Sequence, residues 1–525
     1  MLAAMPDSAP SPVSAGGASP RAGGDACPGT LRLHRADDGA LARVRIPGGV
    51  LDPDRADALL AAAERFGDGD LHLTSRGNVQ LRGLGTECGG GLADLLTDAG
   101  LLPSAAHERA RNIVASPLAG LDGSPSLAGW LAELDRLVCG SPAAAALSGR
   151  FLFALDAGGG DVDALGADVT LIARGPDALL RIGAGDEVFR VPADAAPRAA
   201  LRAAEAFLRA AHRRAAAHGT AAAPGSGAPQ DSGASQDSGS RASGSPASAA
   251  SRASGSPVSA PQVSAAWRVR DLPDDVRTEL VRSIGATAGP AVRLPRPRPR
   301  KAAVPAPGPV GATAAVSVGV PLGRLTPAQW RLLTETARRY GGELRLTPWR
   351  GIVVPGPFPR QDAAEALRAL AGAGLITTAD SPWTGVGACI GHPGCAKSLA
   401  DVRAEAGAVV SGEGSASAAA GRSAAAAAGR SAAGAAGRSA AAAAGRSAAG
   451  AGAGPAVGRP GRLPVYWSGC ERRCGHPHGE WIDVVATPDG HRISHVRGER
   501  REPATTVRND DPARLAAAVA EARAL

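Results

Sequence analysis

Four cysteines occur as two close pairs in the last third of the chain. Cys389 and Cys395 are separated by five residues, and Cys470 and Cys474 are separated by three. Thiolates grouped in this way are the ligands of a soft metal centre, which is either a zinc ion or an iron–sulfur cluster. Zinc sites usually space paired ligands by two to four residues, so the five-residue gap favours an iron–sulfur cluster.

The chain around both pairs is rich in glycine and proline, reading ACIGHPGCAK and WSGCERRCGHPHG. Residues of this kind let the backbone lie close to a bulky cluster and direct its N–H groups at the sulfurs. Cys27, Cys88 and Cys139 have no comparable spacing, so we do not expect them to be ligands.

The composition limits the class of protein. The 525 residues include 70 glycines and 42 prolines but only 3% aromatic residues, so part of the chain is expected to be linker. A net charge of +8 favours anionic partners, such as nucleic acid, an acidic membrane surface or a polycarboxylate substrate. No apolar run reaches the roughly 18 residues of a membrane helix, and the first residues lack signal-peptide features. We therefore expect a cytoplasmic protein without a membrane anchor, whose cysteines bind metal rather than form disulfides.

A short module is repeated in the sequence, at residues 45–81 and 319–354. In each copy a strand ends at Pro-x-Gly, and Asp52 or Thr326 then caps a helix that begins with proline. The helix is expected to stop at a glycine, and a second strand follows. The pattern predicts a duplicated α+β module with a pseudo-two-fold arrangement.

The expected elements follow from this pattern. We predict first strands at Ala42–Ile46 and Ala315–Val320, unbroken second strands over residues 71–81 and 344–354, and following helices at Gly90–Ala99 and Gln361–Ala373. Beyond the first copy we predict strands at Arg150–Leu155 and Val169–Ala173 and a helix from Ala196 to about Arg214.

Two segments have the composition of unstructured chain. Residues 219–261 repeat glycine and serine, and residues 411–460 are rich in Ala, Gly and Ser with GRS at an eight-residue period. The basic, proline-spaced run at residues 293–301 is expected to be an extended linker.

The cysteine pattern, together with LTSRGNVQLRG and RNIVASPLAGLD, resembles that of the siroheme-dependent nitrite and sulfite reductases. The resemblance covers about residues 30–220 and 305–525, apart from the low-complexity insertion. It implies a [4Fe-4S] cluster held by the four cysteines, of which Cys474 would also bridge to siroheme in the relatives. It also implies that Arg76 and Arg111 occupy anion-binding positions.

The fold class implied is α+β, with duplicated ferredoxin-like half-domains and two reductase-type α/β domains. The predicted domains are a disordered tail (1–29), a first half-domain (30–101), a first reductase-type domain (102–218), a flexible linker (219–304), a second half-domain (305–371) and a cluster-binding domain (372–525) with an insertion at 411–460.

One stretch departs from the reductase pattern. Where that family has Arg-Lys-Phe-Lys, this chain has Gly149, Arg150, Phe151 and Leu152. The pKa of an arginine is too high for proton donation, and leucine has no proton to donate. Six-electron reduction of nitrite or sulfite consumes protons, so the departure argues against a reductase.

A second resemblance is closer. Residues 27–49 and the segments around both cysteine pairs are similar to the precorrin-3B synthase family of the oxygen-dependent cobalamin pathway. This similarity implies a monooxygenase that uses O2 to hydroxylate precorrin-3A at C20, with lactone formation. Electrons would come from NADH through a partner reductase, and the cofactors would be the [4Fe-4S] cluster and a mononuclear non-haem iron. Siroheme would be present only if the chain is a reductase.

Arginines are the residues that we expect to bind a tetrapyrrole with many carboxylates. Guanidinium groups pair bidentately with carboxylates, and the candidates are Arg76, Arg82, Arg111 and Arg150. The sequence assigns no catalytic residue.

Histidines offer further candidates. His392, His476 and His478 stand beside the cysteines and can serve as iron ligands, although polar loop histidines are the commoner case. His72 alternates with two leucines, so its side chain faces either a pocket or solvent. No Walker or Rossmann signature occurs, so NADH and ATP are not expected to bind this chain directly.

A nucleic-acid-binding protein with a structural metal is the alternative that the net charge suggests. The low aromatic content and the lack of a basic helix argue against it. We expect no nucleic-acid partner.

Overall fold

The computed structural model describes residues 28–85, 88–221, 266–295, 304–312, 314–412, 462–477, 479–498, 500–502, 504–508 and 511–524. The predicted tail, most of the two low-complexity segments, Cys27 and His478 lie outside the described residues.

The elements are numbered along the chain. The strands are β1 His34–Ala36, β2 Gly39–Val44, β3 Val50–Leu51, β4 Leu71–Leu73, β5 Val79–Leu84, β6 Ile113–Ala115, β7 Phe153–Asp156, β8 Val169–Arg174, β9 Asp177–Ile182, β10 Glu187–Pro192, β11 Ala291–Arg293, β12 Gly308–Val310, β13 Ala315–Gly319, β14 Arg324–Leu325, β15 Leu344–Leu346, β16 Gly351–Pro355, β17 Val386–Ala388, β18 Val465–Ser468, β19 Glu480–Thr487, β20 Gly490–Arg497, β21 Arg500–Arg501 and β22 Thr505–Arg508. The α-helices are α1 Pro53–Phe66, α2 Gly89–Asp98, α3 Ala128–Gly140, α4 Ala196–Ala221, α5 Asp274–Ala288, α6 Pro327–Tyr340, α7 Arg360–Gly372, α8 (402–412) and α9 Pro512–Arg523.

The two copies of the repeated module exchange a short strand. The first copy forms the sheet β1-β2-β5-β4-β14, and the second forms β12-β13-β16-β15-β3. Strand β3 therefore completes the sheet of the second copy, and β14 completes that of the first. One apolar core joins both sheets, and in it the buried Trp330 of α6 donates from Nε1 to the Ala56 carbonyl of α1 at 2.8 Å. The predicted α+β class and the pseudo-two-fold duplication are confirmed.

The predicted helix starts are also confirmed. The Asp52 carboxylate accepts from the Arg55 N–H at 2.9 Å, and Pro53 occupies the first turn of α1. In α6, Thr326 and Gln329 form a reciprocal capping box. These caps satisfy backbone donors that the first turn of a helix leaves without a partner.

The prediction of an unbroken second strand in each copy is wrong. Residues 71–81 and 344–354 each form two antiparallel strands, β4 with β5 and β15 with β16. Thr74 Oγ1 accepts from the Asn78 N–H at 3.2 Å, and Thr347 Oγ1 accepts from the Gly351 N–H at 3.0 Å. A threonine hydroxyl that bonds the backbone in this way closes a turn, so the polar stretch between the two strands is a loop tip rather than a strand.

The two reductase-type sheets have the same topology. In one, β6, β7 and β8 are parallel and β9 to β11 continue antiparallel. In the other, β17, β18 and β19 are parallel and β20 to β22 continue antiparallel. The pseudo-two-fold relation therefore extends from the repeated modules to the domains that follow them.

The prediction of a flexible linker over 219–304 is wrong for residues 266–295. Helix α5 begins with two aspartates and buries Leu280 and Ile284, which lie one helical turn apart, against the core around α4. Strand β11 pairs with β10 in the first reductase-type sheet. Residues 274–293 therefore belong to the folded domain, and the run at residues 293–301 begins at the last residue of a strand.

Two smaller boundaries also differ. Strand β7 starts at Phe153 rather than Arg150, and α4 continues past Arg214 to Ala221.

Within the described residues, no helix has the length and apolar character needed to cross a membrane.

A buried carboxyl at the end of β6 and β7 adds a pH dependence to stability. Asp161 is 3% exposed and accepts from the Ser116 hydroxyl at 2.6 Å and from the Val162 N–H at 2.8 Å. Burial, only partly offset by these hydrogen bonds, raises the pKa of Asp161 to about 6, and the neighbouring Asp156 adds to the rise.

We expect Asp161→Asn to stabilise the protein above pH 6. The raised pKa means that the folded protein binds more protons than the unfolded chain between about pH 4 and pH 6. The free energy of unfolding of the wild type therefore falls as the pH rises through this window and stays lower above it. The substitution should remove this fall and add about 1–3 kcal/mol at pH 8, measured by urea denaturation. The exposed Asp194→Asn is the control, and an equal gain there would contradict the assignment.

Candidate functional site

All four predicted cysteine ligands line one cavity of about 670 Å³. The cavity lies between the sheet of the first half-domain and the loops that follow β17 and β18. Cationic side chains dominate its lining, and among the described residues there they face a single carboxylate, Asp37. They are Arg35, Arg43, Arg82, Arg350, Lys397, Arg403, Arg472 and Arg473.

The sheet topology brings the cysteine pairs together. Cys389 directly follows β17, and Cys470 follows β18 by one residue. These strands are parallel neighbours, so their carboxyl ends meet at one edge, where ligands of open α/β sheets commonly bind. The Cys389 N–H donates to the Trp467 carbonyl at 2.9 Å, which fixes one loop to the other.

Backbone amides point at the first sulfur, as the glycine-rich loops predict. The Gly469 N–H donates to Cys389 Sγ at 3.2 Å. Burial raises the pKa of the Cys389 thiol, and hydrogen bonds from Gly469 and Gly391 oppose that rise. A Cβ at Gly469 would lie 1.7 Å from Ser398 Oγ, so only glycine fits between the two loops.

The donor set at this cavity, four cysteine thiols from two loops, suits a soft metal centre.

Two arginines that the sequence reasoning missed project into the cavity. Arg403, on α8, donates from Nε to the Cys389 carbonyl at 3.1 Å. Burial and, after it, the charges of Arg350, Arg324 and Arg82 together lower the pKa of Arg403 to about 10. The cavity wall thus carries a high density of positive charge beside the cysteines.

Arg350 has a backbone conformation that is unusual for its residue type. Its φ is 58°, in the left-handed region, and the first copy has Gly77 at the equivalent turn position, with φ 66°. Both residues precede the N–H that donates to the turn threonine. The signal in the sequence was the one-residue slip between TSRGN and TPWRG, which moves an arginine onto the glycine position.

Three of the four predicted arginines line this region. Arg82 lies in the main cavity, where it forms a bidentate pair with Asp38, both contacts 2.7 Å, and donates to the Gly394 carbonyl at 3.1 Å. Arg76 and Arg150 line an adjoining cavity of about 340 Å³. Arg76 donates to the Gly149 carbonyl at 3.2 Å, and Arg150 stacks at 4.3 Å from the ring centre of Trp267.

The predicted binding role of Arg111 is not supported. Its guanidinium is buried in a bidentate pair with Asp135, both contacts 2.8 Å, and donates to the Leu101 carbonyl at 3.0 Å. It lines neither cavity. Arg111 therefore joins α3 to the end of the first half-domain, a packing role that the family motif did not reveal.

Of the predicted histidines that the structure describes, one lines the main cavity and the others do not. His72 lines the main cavity, so its side chain faces the pocket and not solvent. His476 stacks on Trp481 at 5.4 Å, outside the described cavity lining, and His392 does not line the cavity either. Cys88 and Cys139 also lie away from it.

One further group has ligand atoms close enough together to hold a metal ion. It consists of Asp68, Asp70 and His72, and one ligand atom of each lies within 4.8 Å of the others. Arginines already occupy the surroundings of this group. Arg324 pairs with Asp70, and Arg403 Nη1 lies 3.5 Å from His72 Nδ1. These positive charges oppose a cation, so we do not assign a metal to this group.

Comparison with known proteins bears on the same segments. The family described as the nitrite/sulfite reductase ferredoxin-like half domain matches residues 33–88 and 307–373, which are the two copies that exchange β3 and β14. The match covers these two segments and not the domains that follow them.

Curated relatives match the chain over short segments. A precorrin-3B synthase of Sinorhizobium sp is 40% identical over 97 residues, which are 18% of this chain and 20% of the relative. A ferredoxin–nitrite reductase of Synechococcus elongatus is 38% identical over 86 residues, 16% of this chain and 17% of the relative. The matched segments thus span about a fifth of each curated relative.

The whole fold also has a counterpart among solved structures. The Mycobacterium tuberculosis NirA protein superposes with a TM-score of 0.60 and 18% identity, over 90% of this chain and 78% of that one. At this identity the likeness shows the fold alone.

We expect each of Cys389→Ser, Cys395→Ser, Cys470→Ser and Cys474→Ser to lose most of the bound iron and sulfide. A serine hydroxyl is a poor ligand for a soft centre. Iron and acid-labile sulfide are measured on protein purified without oxygen.

The matched controls are Cys88→Ser and Cys139→Ser, which should keep wild-type iron and sulfide, as should Cys27→Ser. Loss of iron in a control together with retention in one of the four would contradict the ligand set.

Proposed function

We propose that the chain is a precorrin-3B synthase, a monooxygenase that uses O2 to hydroxylate precorrin-3A at C20 and forms a lactone. The observation that carries the proposal is the cavity in which eight cationic side chains surround the four cysteines. The identity to a precorrin-3B synthase over 97 residues supports it.

The charge of the cavity suits a substrate with many carboxylates. Several of its arginines have acidic partners, such as Asp38 for Arg82 and Asp483 for Arg473. Arg350 and Arg403 have no carboxylate partner among the described residues. Guanidinium groups bind carboxylates bidentately, so an anionic macrocycle gains both orientation and affinity here.

The four cysteines fit a [4Fe-4S] cluster by donor type and by their place at one cavity. When bound there, such a cluster would supply one-electron redox chemistry. The Gly469 N–H and the positive charge of Arg403 beside Cys389 stabilise the negative charge of the cysteine ligands. A mononuclear iron is part of the proposal, without assigned ligands.

The departure at residues 149–152 supports oxygenation rather than a multi-proton reduction. Leu152 is 3% exposed and packs in an apolar cluster with Val114 and Trp349. Arg150 lies against Trp267. The positions at which the reductase pattern has lysines therefore supply no proton donor.

The proposed reaction needs a partner and a compartment. One oxygen atom of O2 enters the substrate and the other leaves as water, with two electrons from NADH. No nucleotide-binding signature occurs in the sequence, so a separate NADH-dependent reductase would deliver the electrons. We propose a cytoplasmic location and no nucleic-acid or membrane partner.

A siroheme-dependent nitrite or sulfite reductase is the second candidate. The observation that favours it is the 38% identity to ferredoxin–nitrite reductases. In that case the same cavity would hold siroheme, and Cys474 would lie next to the iron.

We expect protein purified without oxygen to show the broad visible absorption of an iron–sulfur cluster without porphyrin-type bands. With an NADH-linked reductase and O2, it should convert precorrin-3A to the hydroxylated lactone, with one oxygen atom from labelled O2 detected by mass spectrometry. Siroheme bands with turnover of nitrite or sulfite would instead establish the second candidate.

We expect Arg76→Ala to weaken precorrin-3A turnover by about ten- to a hundred-fold while iron content stays at the wild-type level. Arg76 lines the adjoining cavity, and a charge-assisted hydrogen bond is worth about 1.5–3 kcal/mol. A wild-type KM in Arg76→Ala would remove this arginine from the substrate site.

Arg111→Ala should lower the free energy of unfolding by about 2–5 kcal/mol, because Asp135 loses a buried partner.

A further inference from the structure

We propose that Arg350 and Arg403 form a carboxylate-binding subsite that anchors one acidic side chain of the macrocycle next to the cluster cysteines. The identity of the ligand rests on the proposed function, whereas the subsite itself rests on the geometry of these two residues.

Both guanidinium groups lie at the wall of one cavity, beside Cys389 and Tyr466. After burial, the charge of Arg350 is the largest cause that lowers the pKa of Arg403. Like charges brought together at a cavity wall destabilise the protein unless an anion lies between them.

Among its described residues the protein supplies no carboxylate for either guanidinium, and the cysteine thiolates beside them are the ligands proposed for the cluster. Arg403 has the Cys389 carbonyl and, at 3.5 Å, His72 Nδ1 as its neighbours. Arg350 lies by the Tyr466 hydroxyl, which donates to the Cys474 carbonyl at 2.6 Å. By contrast, the two other arginines whose charges lower the pKa of Arg403 each have an aspartate partner. Arg82 pairs with Asp38, and Arg324 pairs with Asp70.

Backbone strain at Arg350 indicates that its side chain serves a function. A non-glycine residue at φ 58° costs about 1 kcal/mol or more. The equivalent turn of the first copy avoids the cost with Gly77. Glycine would fit position 350 with less strain, so the arginine there is explained if its guanidinium is needed in the cavity.

Three glycines lie around the Arg350 side chain, and one of them, Gly323, leaves room for it. A Cβ at Gly323 would lie 2.7 Å from Arg350 Cδ. A Cβ at Gly475 would lie 3.6 Å from Nη2, and one at Gly387 would lie 3.9 Å from Nη1. Gly387 and Gly475 lie beside the cysteines Cys389 and Cys474, so the guanidinium is held at the edge of the cluster site.

This placement would allow the subsite to orient the substrate. A carboxylate bound by both guanidinium groups would fix one edge of the macrocycle beside the cluster. Arg76 and Arg150 line the adjoining cavity on the other side of Thr74 and Ser75, where they can bind further carboxylates. Two separated anchors would set the rotation of the ring, and so which meso carbon is presented.

The test uses uroporphyrin as a probe, because it carries eight carboxylates and binds without turnover. Its dissociation constant is measured by fluorescence quenching on the cluster-containing protein. We expect Arg350→Gly and Arg403→Gln to bind uroporphyrin about ten- to a hundred-fold more weakly than wild type. Arg350→Lys, which keeps the charge but not the planar fork, should fall between them and wild type.

Arg350→Gly also separates binding from folding. Glycine is favoured at a left-handed position, so its urea midpoint should equal or exceed that of wild type. The matched control is Arg338→Ala, an arginine on the outer face of α6 that pairs with Asp54 and Asp57. It should bind the probe as wild type does.

The outcomes distinguish the subsite from the proposed function. Wild-type probe affinity in Arg350→Gly, or equal weakening in Arg338→Ala, would overturn the subsite. If the probe result is as expected but wild type does not hydroxylate precorrin-3A, the subsite stands as a carboxylate site and the proposed function fails. Turnover by wild type with an unchanged KM in Arg350→Gly would reject the subsite and keep the proposed function.

Discussion

The exchange of strands β3 and β14 is the constraint on which the rest of the structure depends. Each half-domain lacks an edge strand that only the other copy provides. The two copies must therefore face each other across a fixed axis, with one shared apolar core. That orientation places the sheet of the first copy against the cysteine loops, and the cavity exists because of it.

Charge distribution is the second feature that organises the site. Arginines reach the cavity from the first half-domain, from the second half-domain and from α8. Some are fixed by aspartates and others are left to face the cavity. Fixed pairs hold the walls in place, whereas side chains without a carboxylate partner supply the attraction for an anionic ligand.

The sequence predicted the parts of this arrangement that depend on local chemistry. The cysteine pairs, the helix caps at Asp52 and Thr326 and the duplication all follow from residue types at short spacing. The hairpins at residues 71–81 and 344–354 were missed because the alternating apolar pattern continues through the turn, and only the threonine hydroxyl closes it. Arg111 was misassigned because a motif does not show whether a guanidinium faces a ligand or an aspartate such as Asp135. Arg403 could not be predicted, since its place beside Cys389 depends on the docking of α8.

The two six-stranded sheets both begin with three parallel strands followed by an antiparallel one, but they hold different residues at the equivalent edge. The carboxyl ends of β17 and β18 carry cysteines, whereas those of β6 and β7 carry Ser116 and the Asp156–Asp161 loop. The edge at β6 and β7 is closed by hydrogen bonds of Ser116 and Asp161, whereas the edge at β17 and β18 opens on the cavity. The same strand arrangement therefore serves as a sealed end in one domain and as a cavity wall in the other.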